Sequence, residues 1–277
     1  MELNPLFDTA LEAAIDAGIA VKAIYNSKDY EIEIKADESP VTKADKTSSA
    51  IIARYLLKSN FPVIDEENCC PDYSIRQNWK YLWLVDPMDG TKEFISGNGE
   101  FTMNIAFVEE GKPVFGVIYA PVTGLLYWGG KTTGSFKLEN VFSWPGISEV
   151  KRNAVALKPI EHTDGKLRIA ASRSHLDSNT KNFIDDLKQN NDVEYVSKGS
   201  SLKLCMIAEG TTDIYPRFSR TMEWDTAAGH AIVSGTGGVL LKANSQDELT
   251  YNKNDISNPG FVAYSGMYVK NDESILE

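Results

Sequence analysis

Residues 83–91 read WLVDPMDGT, an apolar run that drives into two carboxylates, a proline and a glycine. This stretch constrains the fold more than any other in the chain. Trp83, Leu84 and Val85 must enter a core as a buried strand over 81–85, and that strand should end at Asp86. Pro87 fixes a turn, and Gly90 lets backbone approach a ligand closely. Thr91 then opens a short helix, 91–95, whose first amides can face a phosphate oxygen. On such a turn Asp86 and Asp89 stand close enough to share a cation. Asp-Pro and Asp-Gly are also ordinary turn pairs, so the stretch by itself leaves both readings open.

Other acids fall at the ends of elements. Asp65, Glu66 and Glu67 follow a short apolar strand, 62–65. Asp225 stands before an apolar helix, 226–234, and Asp45 at the start of a helix over 45–59. For Asp45 and Asp225 a plain helix cap is the competing use. If Glu66, Asp86, Asp89 and Asp225 converge, each pair ~4 Å apart repels by about 4 kcal/mol at an effective dielectric of 20. That is large beside a domain stability of ~5–15 kcal/mol. Divalent cations would have to compensate, and all-oxygen ligands that leave room for substrate oxygens suit Mg²⁺.

The rest of the chain supplies layers for such a site. With 277 residues, 42% of them hydrophobic, it can bury a core in one large domain or two small ones. Leu6, Ala10, Leu11, Ala14, Ile15, Gly18, Val21 and Ile24 follow helical spacing over 5–26. Residues 31–35 alternate like a strand. Runs at 102–108, 114–119 and 125–128 read as a meander, joined by turn sequences at 110–113 and 121–124. A loop-rich stretch follows, about 129–165, where a domain boundary could fall. Strands at 166–171, 193–197, 213–216 and 239–241 then alternate with helices at 176–189, 200–209 and 226–234, the first capped by Asp177 or Ser178. The order implies an αβ-layered protein, with a meander sheet first and an alternating α/β half second.

Composition excludes several classes. No run of ~18 apolar residues could span a membrane. Glu2, Asp8, Glu12 and Asp16 make residues 1–26 unlike a secretory signal, so the segment reads as a mature helix. Three cysteines, two of them the adjacent Cys69 and Cys70, give no disulfide framework and read as reduced thiols. His162, His175 and His230 are too scattered for zinc. A net charge of −11 argues against nucleic-acid polymers and anionic membranes as partners. Any phosphate site must therefore be locally positive.

WLVDPMDGTKEF, the paired acids at 66–67 and the downstream WDTAAG together resemble the lithium-sensitive inositol monophosphatase superfamily. Within it, SRSH at 172–175, GSSLKLCMIAEG at 199–210 and YPRF at 215–218 resemble the CysQ-type 3′(2′),5′-bisphosphate nucleotidases. The resemblance spans roughly residues 9–260. It implies a layered αβαβα sandwich of the inositol monophosphatase and fructose-1,6-bisphosphatase type. Residues 1–150 would form an α+β half with most metal ligands, and 151–277 an α/β half with Asp225 and the substrate-binding residues. Glu66, Asp86, the Met88 carbonyl, Asp89 and Asp225 would hold two or three Mg²⁺. Asp45 and Thr91 would polarise the attacking water, and the Gly90 and Thr91 amides would hold the phosphate. His175, Ser200, Lys203 and Arg217 would form a second anion site, suited to adenosine 3′,5′-bisphosphate rather than to inositol monophosphate. Glu223 adds an acid near that pocket. The resemblance further implies inhibition by Li⁺ and a cytoplasmic enzyme, free or peripheral at the inner membrane. The substrate would be a small phosphoester, and the oligomeric state is left undetermined.

Blander uses compete for each of these. His175 could be a satisfied core or surface histidine, Lys203 could snorkel from an apolar helix, and Arg217 could pair with a surface acid. Two other functions also stand beside the nucleotidase: an inositol or sugar monophosphatase, and a catalytically silent metal-binding regulator. The intact set Asp45, Glu66, Asp86, Asp89, Thr91 and Asp225 argues against silence.

Overall fold

The computed structural model describes residues 5–35, 38–68, 70–171, 177–272 and 275. Its centre is a seven-stranded sheet running in the order Val63–Asp65, Tyr81–Asp89, Thr102–Glu109, Lys112–Ala120, Leu125–Gly130, Gly134–Leu138, Val155–Ala156. The first pair is parallel, which sets Asp65 beside Val85, and every later pair is antiparallel.

Alternation along the strands loads both faces of this sheet. One face presents Trp83, Val85, Phe107, Phe115, Val117 and Tyr119 to helices Pro5–Ser27 and Lys43–Leu56. Gly18 is where the first helix crosses closest, since a Cβ there would sit 2.4 Å from the Tyr119 ring. The other face presents Leu82, Leu84, Ala106 and Ile118 to helices Leu202–Glu209 and Glu223–Ser234. Here contact is tighter still. A Cβ on Gly116 would lie 2.2 Å from the Ala228 carbonyl oxygen, so only glycine lets the second helix lie against the strand.

Beyond those helices lies a five-stranded sheet, ordered Asp192–Val196, Lys166–Ala170, Ile214–Arg217, Phe261–Tyr264, Val239–Lys242. Its outer face packs Leu167, Ile169 and Val262 against Ile184 of helix Ser178–Leu187. The layers are thus αβαβα, as the family resemblance implies.

Several details differ from the sequence reading. Residues 129–165 are loop-rich, as expected, yet not without regular structure. They extend the first sheet with strands Gly134–Leu138 and Val155–Ala156 and carry helix Ile147–Asn153. The strand at 31–35 shrinks to Glu33–Ile34, exposed and paired only with Pro40–Val41. Strand Phe261–Tyr264 was not anticipated. The apolar strand does not stop at Asp86. It continues to Asp89 through a register shift, with buried Pro87 inside it rather than on a tight turn. The Pro87 carbonyl accepts from Ser48 Oγ at 2.6 Å, which ties this irregular segment to helix Lys43–Leu56.

Candidate active site

Asp45 lies at the third position of helix Lys43–Leu56 and is 2% exposed. One carboxylate oxygen, Oδ2, closes a capping box, accepting from Thr42 N and Thr42 Oγ1, each at 2.7 Å. The other, Oδ1, accepts from Thr91 Oγ1 at 3.1 Å. The N-cap is Thr42 rather than Asp45, and Asp45 divides its oxygens between the capping box and Thr91. Burial holds the Asp45 carboxyl above the usual range, against the lowering pull of Thr42.

Thr91 opens helix Thr91–Ser96, and Gly90 precedes it with φ +97°. A Cβ on Gly90 would meet Glu100 O at 3.2 Å, so the position favours glycine on both counts. Asp86 is 1% exposed, and its Oδ1 accepts from Met88 N at 3.0 Å. Asp89 Oδ2 accepts from Ser200 Oγ at 2.6 Å. Glu66 sits at the rim, with Lys35 Nζ 3.1 Å from its Oε1. Asp225 does not precede its helix. It occupies the third position of Glu223–Ser234, behind a cap at Met222 whose N–H donates to Oδ2 at 2.8 Å.

These acids feel one another. Asp86 is pushed well up, first by burial and then by the charges of Glu66, Asp89, Asp225 and Asp45. Asp225 is pushed up to about 8, by burial and then by Asp89. Glu66 is raised by desolvation, against Lys35, with Glu67 and Asp89 adding to the rise. Among the described residues, no three His, Cys, Asp or Glu side chains already form a cation-holding group. Each acid is instead turned onto a protein donor: Lys35, Met88 N, Ser200 or the Met222 amide. The donor chemistry nonetheless fits a hard cation. All the ligating atoms are oxygens, and their mutual repulsion calls for positive charge.

Asp89 and Asp225 open into a cavity of about 580 Å³, also lined by Ser200, Lys203, Arg217 and Phe261. Arg217 Nε is buried without a hydrogen-bond partner. Lys203, 7% exposed, does not snorkel. Its Nζ donates to Ser200 O at 2.8 Å and Lys198 O at 3.1 Å, and lies 5.5 Å from the Tyr215 ring centre. Burial lowers its pKa. Ser200 is in the left-handed region at φ +56°, with its hydroxyl 2.7 Å from Thr102 Oγ1. Glu223 is not in the pocket. It is fully buried and accepts from Asn252 N and Lys253 N, so its effect on substrate is indirect. His175 lies outside the described residues.

Sequence reasoning missed Lys35 on Glu66, Ser49 on Asp65 at 2.8 Å, and the Thr102–Ser200–Ser201 hydroxyl cluster. Long-range polar contacts of this sort leave no local periodicity to read. A second cavity, about 500 Å³, lies beside helix Lys43–Leu56, where Glu31 and Glu33 pair with Lys43 and Lys46. It draws in none of the acids at 65–89 or Asp225.

A layered αβαβα sandwich with interacting acids at 45, 66, 86, 89 and 225, two of them lining a cavity, defines a class, and the chain belongs to the inositol monophosphatase family, whose pattern it matches over residues 2–276. Among curated proteins it is similar to the 3′(2′),5′-bisphosphate nucleotidase CysQ of Escherichia coli (strain K12), 37% identical over 92% of this chain and 98% of the relative. The Haemophilus influenzae protein of the same name is 34% identical over 93% and 91%. Among solved structures, CysQ from Bacteroides thetaiotaomicron superposes with a TM-score of 0.85 at 42% identity, covering 93% of this chain and 96% of that one. A staphylococcal inositol monophosphatase with 2′-AMP bound shares the fold at 20% identity and a TM-score of 0.71, over 97% of this chain and 93% of that one.

Proposed function

We propose that this protein is a Mg²⁺-dependent 3′(2′),5′-bisphosphate nucleotidase that converts adenosine 3′,5′-bisphosphate to AMP and phosphate. The observation that carries the reading is a cavity lined both by the acids Asp89 and Asp225 and by the cations Lys203 and Arg217. Similarity to CysQ proteins across nearly the whole chain supports it. A substrate with two phosphates offers one group to cations held by the acids and one to Arg217, whereas inositol monophosphate leaves Arg217 without an anion.

Glu66, Asp86, the Met88 carbonyl, Asp89 and Asp225 would hold two or three Mg²⁺. Bound there, Mg²⁺ would supply a water of lowered pKa and charge neutralisation at the leaving oxygen. The chain's own groups do the positioning that phosphoryl transfer requires. The Thr91 hydroxyl gives its proton to Asp45 Oδ1, which leaves its lone pairs to accept a hydrogen bond from the attacking water. Thr42 fixes Asp45 from behind, so this acceptor cannot swing away. The Gly90 and Thr91 amides hold the reacting phosphate, and Arg217, with His175, reads the second one. Ser200 acts first on Asp89 and Lys203 first on the 198–200 backbone, so their contact with substrate is secondary.

The reading puts the enzyme in the cytoplasm and makes it sensitive to millimolar Li⁺. Phosphate release with Mg²⁺ from adenosine 3′,5′-bisphosphate and from inositol 1-phosphate tests it. A preference for the inositol ester would overturn it in favour of a monophosphatase, and no release from either would leave a silent relative.

A further inference from the structure

Among the described residues, no carboxylate pairs with the buried Arg76. It is 3% exposed, at the end of helix Tyr73–Arg76, just past the acids at 65–67. Nε donates to Pro71 O at 3.0 Å, which fixes the guanidinium on its own loop. The remaining donors cross 176 to 178 residues of sequence. Nη1 reaches Asn252 Oδ1 at 3.0 Å and Lys253 O at 2.5 Å, and Nη2 reaches Asn254 O at 2.9 Å. Asn252 answers, donating from Nδ2 to Arg76 O at 2.8 Å.

The same three-residue loop is gripped from its other side by the fully buried Glu223. Its Oε2 accepts from Asn252 N at 2.6 Å, and its Oε1 from Lys253 N at 2.9 Å and Lys253 Nζ at 2.6 Å. A buried cation thus holds the loop by its carbonyls, and a buried anion holds it by its amides. Either charge left alone would cost several kcal/mol of desolvation, which makes the pair of grips intolerant of slack. Glu223 is also the first residue of the helix that carries Asp225. Met222, the cap that donates to Asp225, pairs with Ser257 a few residues beyond the loop.

We propose that Arg76, loop 252–254 and Glu223 form a clasp that sets where Asp225 stands relative to Glu66 and Asp86. Arg76 is a positioning residue. It belongs to the segment between Glu66 and the strand of Asp86, while Glu223 belongs to the helix of Asp225. The clasp is a polar tie that joins these two contributors of carboxylates. The inference rests on the reading of those acids as cation ligands.

The arginine fork is what makes three simultaneous contacts, so Arg76→Lys keeps the charge and removes the geometry. Asn252→Gly is the gentler variant. Asn252 has φ +62°, which glycine adopts freely, and only the side-chain links to Arg76 are lost. Mg²⁺ and Mn²⁺ binding should be measured by calorimetry without substrate, alongside kcat, KM and melting temperature. Arg76→Lys should weaken cation binding about tenfold, the lower end for groups that orient ligands from outside the coordination sphere. Asn252→Gly should weaken it less. In both, kcat at fixed Mg²⁺ should fall, KM should hold, and added Mg²⁺ should restore kcat. A lower melting temperature with unchanged cation affinity, in either folded variant, would reduce the clasp to a structural tie and overturn the proposal. A wild-type protein that bound no divalent cation would instead remove the reading of the acids, and the clasp's role with it.

Discussion

Thr91 Oγ1 and Asp45 Oδ1 meet at 3.1 Å across 46 residues, one at the start of a short helix and the other inside the capping box of a long one. The hydroxyl is oriented by an acid that is itself immobilised. Thr91→Ala should lower kcat by about 10²-fold, the scale of general-base assistance, and leave KM nearly unchanged because the backbone amide remains. Thr91→Ser should recover most of the loss. A change confined to KM would make Thr91 a binding residue and separate it from Asp45.

Asp89→Asn keeps the shape that accepts from Ser200 and removes one charge from a crowded set. Phosphatase activity should collapse and calorimetric Mg²⁺ affinity fall, while the chelated protein melts at the same temperature or higher. Near-normal turnover would show that Asp89 holds no cation.

The raised carboxyls also predict how the cation-free protein responds to pH. Asp225 titrates near 8 when folded against about 3.8 unfolded, and Asp86, Glu66 and Asp45 shift the same way. Between pH 4 and 8 the folded state then binds more protons than the unfolded one, so stability is fullest at the acid end and is lost as pH rises. With a chelator present, melting temperature should fall by at least about 4 °C from pH 5.5 to 8, given 2–4 °C per kcal/mol for chains approaching this size. Saturating Mg²⁺ should flatten or reverse the slope. A chelated protein that grew more stable towards pH 8 would contradict the crowding of these acids.

Arg217 and Lys203 should separate on substitution. Arg217 lines the cavity with its Nε unbonded, so Arg217→Ala should cut kcat/KM for adenosine 3′,5′-bisphosphate by about 10- to 150-fold, for a charge-assisted bond worth roughly 1.5–3 kcal/mol. The loss on inositol 1-phosphate should be much smaller. Lys203→Ala releases the backbone that carries Ser200 to Asp89, so its loss should appear on both substrates. Equal losses for Arg217→Ala would move it to the shared reacting phosphate.

Much of this architecture could be read from periodicity. The apolar runs at 81–85 and 102–119 suit strands buried on both faces, and the helical spacing in 5–26 reports one buried face, which is how the structure packs them. In the stretch 129–165, Gly129 and Gly130 look like loop but end strand Leu125–Gly130. There they permit close approach instead: a Cβ on Gly130 would stand 2.0 Å from Val114 O. Glu223 and Asp225 show the limit at the site. Two residues apart on a helix, they point about 200° apart, so one faces the cavity and the other the 252–254 loop. Nothing in their sequence neighbourhood says which. The acceptors of Lys203 are hidden for a similar reason, since they depend on a left-handed Ser200 that composition does not announce.

The near-contact of Gly116 with Ala228 has a temporal consequence. A ribosome delivers Glu66, Asp86 and Asp89 long before Asp225, and the helix bearing Asp225 reaches them only by seating its backbone directly on the strand through Gly116. A nascent or truncated chain therefore carries three of the four acids without their fourth. Each molecule with the full set is one whose last third has already docked, so the site comes into being as a late product of maturation, and a methyl group at position 116 would be felt there first.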